Sequence, residues 1–291
     1  MRRLIPRDGG AGAGGGKRVP LAFDDHSSSF FDYLLHQRPD LLPGGRGLDS
    51  QNSVPMPEES RGLVPSPFSH GTTVLAIKYE SGVLIAGDRR ATEGFQIAGR
   101  RIEKVFKVDE HSAIAIAGAA GPCLEMAKLF QTELEHYEKL EGVQLSCEGK
   151  ANKLGQMVKA NLPMVFQGLV VIPIYVGFDL KRAEGRIFKY DITGGRYEES
   201  DYHSIGSGGK EARNTMREHF RKNLSEAEAL TLALLSLYNA AEDDVGTGGP
   251  DLVRGIYPTA KCVTASGIGD IEEERMSRVY AELIEERKRG S

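Results

Sequence analysis

The sequence predicts an α+β fold in which two antiparallel β-sheets pack against each other and helices cover both outer faces. Apolar strands occur in pairs joined by short turns, amphipathic helices also occur in pairs, and the two kinds of pair alternate along the chain. Strands linked by short turns form antiparallel sheets, and the faces of such sheets need apolar partners. With 291 residues, the chain is long enough for one large domain with a sizeable core.

The first part of the chain, residues 1–71, differs in composition from the rest. It holds a glycine-rich run over residues 9–16, scattered prolines and one stretch of helical character, SSFFDYLLHQ (residues 28–37). Such a segment is typically flexible or folds only against a partner. The run GGGKR resembles a phosphate-binding loop, but it lacks the first glycine of that motif and the Ser or Thr after the lysine. We interpret it as a spacer.

The regular pattern begins at Thr72. TTVLAIKY and GVLIAGDR, separated by the turn ESG, predict a hairpin, and KVFKVD and SAIAIAG predict a second strand pair. Helices are predicted in PCLEMAKLFQTELEHYEKL and GKANKLGQMVKANLPMVFQGL, where apolar residues recur at helical spacing. Their apolar stripes consist of Cys123, Ala127, Phe130, Leu134 and Tyr137 in the first, and of Leu154, Val158, Leu162, Val165 and Leu169 in the second.

The same succession of elements then repeats. VVIPIYVGFD, GRIFKYDI and YHSIGSGG predict strands, and KEARNTMREHFRKN and SEAEALTLALLSLYNAAEDD predict a second helix pair. The latter helix follows Ser225, with Glu228 three residues on, which is the pattern of a capping box. A final hairpin in TAKCVTA and GDIEEE precedes a terminal helix with apolar positions at Met276, Val279, Tyr280, Leu283 and Ile284.

Composition argues against several classes of protein. The formal net charge of −4 gives no basic surface for nucleic acid, and no apolar run approaches the ~18 residues of a membrane-spanning helix. Cys123, Cys147 and Cys262 have neither the spacing of a zinc site nor the even number of a disulfide framework. The seven histidines form no HxH or HExxH pair. We expect a soluble, cytoplasmic protein without a metal or other cofactor.

The first hairpin brings reactive residue types together. A turn centred in ESG sets Thr72 opposite residue 89, so that Asp88 lies beside Thr72 and Arg90 just past it. Lys104 is the next basic residue on an adjacent predicted strand. A threonine hydroxyl, a carboxylate and a lysine would then meet at one end of a sheet. The alternative is that Thr-Thr merely opens a strand and that Asp-Arg is a solvated ion pair.

Release of Thr72 as an N-terminus would make it a better nucleophile. Its α-amine, with a pKa near ~7.7–8, would lie next to the hydroxyl that must lose a proton. Gly71 has no side chain to hinder the approach of that hydroxyl to the preceding carbonyl. Lys104 would supply positive charge that favours the alkoxide, and Asp88 would hold Lys104 in position.

Other short motifs have more than one interpretation. The stretch AIAGAAG contains Gly118, whose N–H is a candidate oxyanion donor, or it is simply a turn between strand and helix. GSGG around Ser207 lacks the preceding glycine of a nucleophile elbow. DDVGTGGPD is rich in turn-forming residues. Cysteine–histidine catalysis would use Cys123 or Cys147, but both lie on helix-like stretches, where a buried thiol is usual.

Taken together, these motifs resemble the β subunits of the bacterial 20S proteasome of the actinobacterial type. The resemblance rests on HGTTVLAIKYESGVLIAGDRRATEG, Lys104, AIAIAGAAG, HYEKLEG, IGSGG and AAEDDVGTGGPDLVRGIYPTA, and it covers nearly all of residues 72–291. It implies a four-layer αββα sandwich of the N-terminal-nucleophile hydrolase type and a threonine endopeptidase activity. It also implies that residues 1–71 are a propeptide, removed by self-cleavage at Gly71–Thr72 from a catalytic domain.

The resemblance implies a role for each matching residue. Thr72 is the nucleophile and, through its freed amine, the general base. Its supporting residues are Asp88, Lys104, Arg90, Gly118 as oxyanion donor, Ser207, Asp244 and Thr247. Thr247 stands where the family has a serine, and Val245 and Gly246 depart from the usual Ser-Ala pair. Thr92 and Ala120 would bind substrate backbone as an added strand. The uncharged residues implied for the specificity pocket, which favour cleavage after hydrophobic residues, are Ala91, Ile102, Ile116 and Ala120.

Partners are implied by the same resemblance. Two heptameric β rings stack face to face between two heptameric rings of proteasome α subunits, and a ring-shaped ATPase unfolds substrates that carry a ubiquitin-like tag. Nucleic acid and membranes are not among the partners. Two other classes remain open, a non-catalytic subunit of the same fold and an N-terminal-nucleophile amidohydrolase acting on small amides. The Gly71–Thr72 junction, with Asp88 and Lys104, favours a catalytic subunit, and GTGGPD favours the proteasome.

Overall fold

The computed structural model describes residues 71–93 and 96–290, so the predicted helical stretch SSFFDYLLHQ lies outside the described residues. The strands are β1 (Thr73–Tyr79), β2 (Gly82–Gly87), β3 (Ala91–Glu93), β4 (Gln96–Gly99), β5 (Val105–Asp109), β6 (Ser112–Gly118), β7 (Val171–Asp179), β8 (Glu184–Tyr190), β9 (Arg196–Glu199), β10 (Tyr202–Gly206), β11 (Thr259–Thr264) and β12 (Gly267–Asp270). The helices are α1 (Ala120–Glu141), α2 (Cys147–Ala160), α3 (Leu162–Val165), α4 (Gly209–His219), α5 (Glu226–Asp243) and α6 (Glu273–Gly290).

Ten of these strands form two five-stranded antiparallel sheets. The first sheet has the order β10-β1-β2-β11-β12, the second has the order β5-β6-β7-β8-β9, and β3 and β4 form a separate hairpin. The predicted hairpins are therefore confirmed, except that the last strand was predicted too late in GDIEEE: β12 ends at Asp270, and Glu273 already begins α6. The prediction missed β3, β4 and β9, because these strands are only three or four residues long and mostly exposed.

Buried apolar side chains form three layers that define the sandwich. Successive side chains of a strand point to opposite faces. Along β1, Val74 and Ala76 pack between the two sheets, whereas Leu75 and Ile77 pack against α4, α5 and α6. The second sheet buries its outer face under α1 and α2. The predicted four-layer αββα architecture is confirmed.

The helices differ from the prediction in two places. Tyr137, assigned to the apolar stripe of α1, is 36% exposed, and Met126 is buried there instead. The single helix predicted after it is broken, because α2 ends at Ala160 and a short α3 follows. Pro163 explains the break, since proline lacks the N–H that would continue the helix. Elsewhere the capping box is confirmed, with Ser225 N donating to the Glu228 carboxylate at 2.8 Å.

The first hairpin has the predicted register. Val74 pairs with Gly87, so residue 72 lies opposite residue 89. On the other side of β1, Ser207 N donates to Thr72 O at 2.9 Å. Thr72 is thus held at one end of the first sheet, between the segments that follow β2 and β10. Across the described residues, no helix has the length and apolar character needed to cross a membrane.

Candidate active site

Asp88 is the centre of a buried hydrogen-bond cluster beside Thr72. Lys104 Nζ donates to Asp88 Oδ1 at 2.7 Å, and the two side chains are only 6% and 0% exposed. Thr73 N donates to the same oxygen at 2.8 Å. The second oxygen, Oδ2, accepts from Arg90 N and from Gly248 N, each at 2.9 Å. These four donors fix the carboxylate, and the carboxylate in turn fixes the ammonium group.

The lysine and the threonine hydroxyl meet at one carbonyl group. Thr72 Oγ1 donates to Gly71 O at 2.7 Å, and Lys104 Nζ lies 3.3 Å from the same oxygen. Burial lowers the pKa of Lys104, and the neighbouring Asp88 carboxylate acts in the opposite direction. A positive charge on this ammonium would polarise the carbonyl group that precedes Thr72.

Asp244 anchors a second cluster on the nitrogen side of Thr72. Ser207 Oγ and Thr247 Oγ1 each donate to Asp244 Oδ2 at 2.5 Å, and Gly246 N donates to Asp244 Oδ1 at 3.1 Å. Ser207 Oγ also accepts from Thr72 N at 3.3 Å. The structure thus links all three of these sequence-predicted residues to Thr72, with Ser207 one hydrogen bond away, Asp244 two and Thr247 three.

Thr73 joins the two clusters, and the sequence analysis did not single it out. Its side chain is fully buried, its Oγ1 lies 2.6 Å from Thr247 Oγ1, and it accepts from Gly208 N at 3.0 Å. Its backbone N–H contacts Asp88. The only signal in the sequence was its place directly after Thr72, because its hydroxyl partners lie 135 and 174 residues further along the chain.

Two further predicted residues lie close to these clusters. Arg90 contacts Asp88 through its backbone N–H, while its guanidinium donates to Val245 O at 3.0 Å and so ties down the loop after α5. Gly118 ends β6 with a φ of +136°, and a Cβ atom there would lie 1.9 Å from Val170 O. Only glycine fits this position. Gly118 lines the same cavity as Thr72.

An apolar cavity of about 340 Å³ opens beside Thr72. All four residues predicted for the specificity pocket line it, namely Ala91, Ile102, Ile116 and Ala120. The prediction missed further lining residues. The uncharged wall also includes Phe106, Gly121, Cys123 and Leu124. Two other lining residues, Arg101 and Glu103, are charged and exposed. These last two residues give the cavity a charged rim. Thr92 is buried next to it, and its Oγ1 accepts from Gly71 N at 2.9 Å.

The cysteines are unsuited to nucleophilic catalysis. Cys123, Cys147 and Cys262 are all buried and unpaired. Burial raises the pKa of Cys123, the thiol that lines the cavity, to about 12, so that the reactive thiolate is disfavoured. Among the residues that the structure describes, no group of three or more His, Cys, Asp or Glu side chains is placed to hold a metal ion.

Comparison with known proteins identifies the family of the chain. A family model described as "Proteasome subunit" matches residues 68–253, which is more than half of the sequence. The chain belongs to the proteasome subunit family.

Relatives within this family resemble the chain along nearly its whole length. It is 49% identical to a proteasome subunit beta of Streptomyces griseus subsp. griseus, over 93% of this chain and 92% of the relative. It is 48% identical to a proteasome subunit beta of Acidimicrobium ferrooxidans over 89% of this chain and 95% of the relative, and 47% identical to one of Acidothermus cellulolyticus over 94% and 92%. By this likeness it is a proteasome subunit of the β type, and thus a protease subunit.

In this proteasome subunit the two clusters flank the hydroxyl group of Thr72. The nitrogen side of Thr72 faces Ser207, the lysine of the other cluster faces Gly71 O, and Thr72 Oγ1 lies between them next to an apolar cavity. Such an arrangement is chemically suited to attack on a carbonyl carbon, with the developing negative charge close to an ammonium group.

Proposed function

We propose that the chain is a threonine endopeptidase subunit of a self-compartmentalised proteasome, activated by its own cleavage between Gly71 and Thr72. The proposal rests on one observation above all. Thr72 Oγ1 is 2.7 Å from the oxygen of the carbonyl group that it would attack, and Lys104 Nζ contacts the same oxygen at 3.3 Å. On this proposal residues 1–71 are a propeptide, and residues 72–291 are the catalytic domain.

Self-cleavage would proceed in two steps, formation of an ester and its hydrolysis. Thr72 Oγ1 loses its proton and attacks the Gly71 carbonyl carbon, and the C–N bond then breaks, so that the proton passes to the departing nitrogen. The product is an ester between Gly71 and the threonine oxygen, with a free amine on Thr72. Water hydrolyses that ester, which releases residues 1–71 with a C-terminal carboxylate and regenerates the hydroxyl. Lys104 would stabilise the negative oxygen in both steps.

Peptide hydrolysis would repeat this chemistry on a substrate. The free amine of Thr72 takes the proton of its own hydroxyl, and the oxygen attacks the scissile carbonyl carbon. The amine then protonates the leaving nitrogen, and water hydrolyses the acyl ester. Ser207 and Asp244 would orient the amine, since Ser207 Oγ already lies 3.3 Å from that nitrogen. Gly118 N–H is the proposed oxyanion donor, and Thr247 and Arg90 hold the surrounding loops.

The identity of the nucleophile is tested by intact mass measurement of the full chain after expression. We expect the wild type to lose residues 1–71 and the Thr72→Ala variant to keep them and to lack activity. The control Thr72→Ser retains both a hydroxyl and an amine and should still be processed. Processing of Thr72→Ala at the same peptide bond would contradict the proposal, and an unprocessed wild-type chain in assembled particles would favour a non-catalytic subunit.

The cavity predicts the substrate preference. Its wall is largely uncharged, with Ala91, Ile116 and Phe106 among the lining residues, so that transfer of an apolar side chain from water is favourable and transfer of a charged one is not. In fluorogenic peptides that differ only before the scissile bond, Leu or Phe should exceed Asp or Lys in kcat/KM by at least roughly tenfold. Equal values would refute this preference. Hydrolysis of small amides but not of peptides would favour an amidohydrolase.

Assembly and location complete the proposed function. We infer that the subunit forms stacked heptameric β rings between rings of α subunits in the cytoplasm. There it would degrade unfolded proteins delivered by a ring-shaped ATPase, including those with a ubiquitin-like tag. Support comes from the relatives, which are named as proteasome subunits. Co-expression of the full chain with an α subunit, followed by native mass spectrometry, tests this assembly.

A further inference from the structure

The backbones of Gly71 and Gly246 are in direct contact. A Cβ atom added to Gly71 would lie 2.0 Å from Gly246 Cα, and one added to Gly246 would lie 2.5 Å from Gly71 Cα. Both distances are shorter than real Cβ contacts allow. Neither residue can therefore carry a side chain while the other stays in place, although they are far apart in the sequence.

The direction of this contact separates the Gly71–Thr72 junction from an ordinary substrate. The three atoms nearest to a Cβ on Gly71 all belong to the backbone of Gly246, at 2.0, 2.4 and 2.5 Å. A side chain at residue 71 would thus collide with the loop after α5. On the proposed function, a substrate instead places the corresponding side chain in the apolar cavity and has to present its backbone differently. The loop would consequently contact the propeptide junction more closely than it contacts a substrate.

Gly71 is also held by three hydrogen bonds. Its N–H donates to Thr92 Oγ1 at 2.9 Å, and its carbonyl oxygen accepts from Thr72 Oγ1 at 2.7 Å and from Lys104 Nζ at 3.3 Å. A shift of Gly71 away from residue 246 would lengthen or misalign these contacts, because all of them act on the backbone of the same residue. Small displacements of reacting atoms reduce rates steeply.

We propose that Gly246 is a positioning residue for self-cleavage, and that it loses this role once residues 1–71 have left. Its bare backbone provides the room in which the Gly71 carbonyl group can rest against the Thr72 hydroxyl and Lys104. This inference rests on the proposed function, because it assumes cleavage at Gly71–Thr72.

The test compares two rates in the full chain carrying Gly246→Ala. We expect the half-time of propeptide loss, followed by intact mass, to lengthen by at least roughly tenfold, which corresponds to about 1.4 kcal/mol of barrier. Peptide hydrolysis per mature chain, counted by mass, should fall by a clearly smaller factor than the rate of propeptide loss. Gly249→Ala is the matched control, since its Cβ would meet its nearest neighbour, Ala241 Cβ, at an ordinary 3.4 Å.

Two results would overturn the inference. One is propeptide loss from Gly246→Ala at the wild-type rate. The other is an equal fall in both rates. A Cβ atom on Gly246 would also lie 3.0 Å from Ser207 Oγ. An equal fall would therefore mean that residue 246 acts through the Asp244 cluster and not through Gly71. If the wild type itself is not cut after Gly71, the proposed function fails instead, so that the two failures are distinguishable.

A second measurement does not depend on chemistry. In the uncleaved Thr72→Ala chain, addition of Gly246→Ala should lower the unfolding temperature by roughly 2–4 °C or more. The same substitution in fully processed protein should lower the unfolding temperature by less, because Gly71 is gone. An equal shift in both forms would contradict a role confined to the precursor.

Discussion

Thr73 shows how much of the site depends on one buried hydroxyl group. It contacts Thr247 in the Asp244 cluster and accepts from the N–H of Gly208, while its backbone N–H holds Asp88. Its side chain and its backbone thus contact both clusters, and they would hold the two clusters in a fixed relation to each other. Valine has the same shape as threonine but no hydroxyl group, so it removes the side-chain hydrogen bonds and keeps the backbone contact with Asp88.

We expect Thr73→Val to be processed and to hydrolyse peptides about tenfold more slowly than the wild type. Valine keeps the volume but leaves Gly208 N–H and Thr247 without their buried partner, at a cost of roughly 1–3 kcal/mol. The measurement is kcat/KM together with the half-time of propeptide loss. Thr132→Val, at an exposed position of α1, is the control. Unchanged rates in Thr73→Val would show that the two clusters keep their positions without this hydroxyl group.

The pH dependence of activity should report on Lys104. Burial lowers the pKa of Lys104 from its ordinary value of 10.5, so that its positive charge is lost at a lower pH than in an exposed lysine. As the pH rises, peptide hydrolysis should therefore increase when the Thr72 amine loses its proton, near pH ~7.7–8. At a higher pH, but one still lower than 10.5, hydrolysis should decrease again as Lys104 loses its charge.

A substitution identifies the group behind the alkaline fall. Lys104→Arg keeps its charge to above about pH 12, so any activity that it retains should show no fall in this range. The profile is measured as kcat/KM over pH, with circular dichroism to show that the protein stays folded. An unchanged alkaline limb in Lys104→Arg would assign the fall to another group.

Among the elements, β10 combines structural and functional demands. It is an edge strand of the first sheet, pairs with β1, and leads directly to Ser207. It also carries a largely buried histidine, His203, which lies 3.6 Å from Glu199. Burial lowers the pKa of His203 to about 4, with Lys189 and Arg213 acting in the same direction and Glu199 acting against it. The His203 side chain in this strand is therefore neutral at neutral pH.

Acid should therefore weaken this strand. Because the pKa of His203 is about 4 in the folded chain and 6.5 in the unfolded one, the unfolded chain binds more protons between these values, and stability falls as the pH drops through that window. The loss is at most about 1.4 kcal/mol per pH unit. Unfolding midpoints measured from about pH 7 to about pH 4 should decline less in His203→Gln than in the wild type. Parallel curves for the two proteins would argue against this role, and His136→Gln, on the exposed side of α1, is the control.

At the scale of the whole molecule, the layers could be predicted from the sequence because they follow from periodicity. The register of β1 and β2 follows from the short turn that joins them, and it correctly placed Asp88 beside Thr72. Helix breaks were harder to predict, since the apolar spacing continued through Pro163 although the helix did not.

The order of strands could not be predicted from local pattern. β1 pairs with β10, and β2 pairs with β11, across most of the chain. No turn links these strands, so the contacts of Ser207 and Asp244 with the Thr72 region could not be inferred from spacing, and only the family resemblance pointed to those residues. Thr73 and Gly248 escaped notice for the same reason, because their hydrogen-bond partners come from distant segments.

The distance in sequence between Thr72 and its partners has a consequence during biosynthesis. Ser207 lies 135 residues after Thr72, and the carboxylate that holds Ser207 comes later still. A ribosome therefore delivers the future nucleophile long before the residues that are to orient it. Under the proposed function, the growing chain has no working protease centre for most of its translation, and neither the nascent chain itself nor its neighbours are exposed to one until the domain has closed.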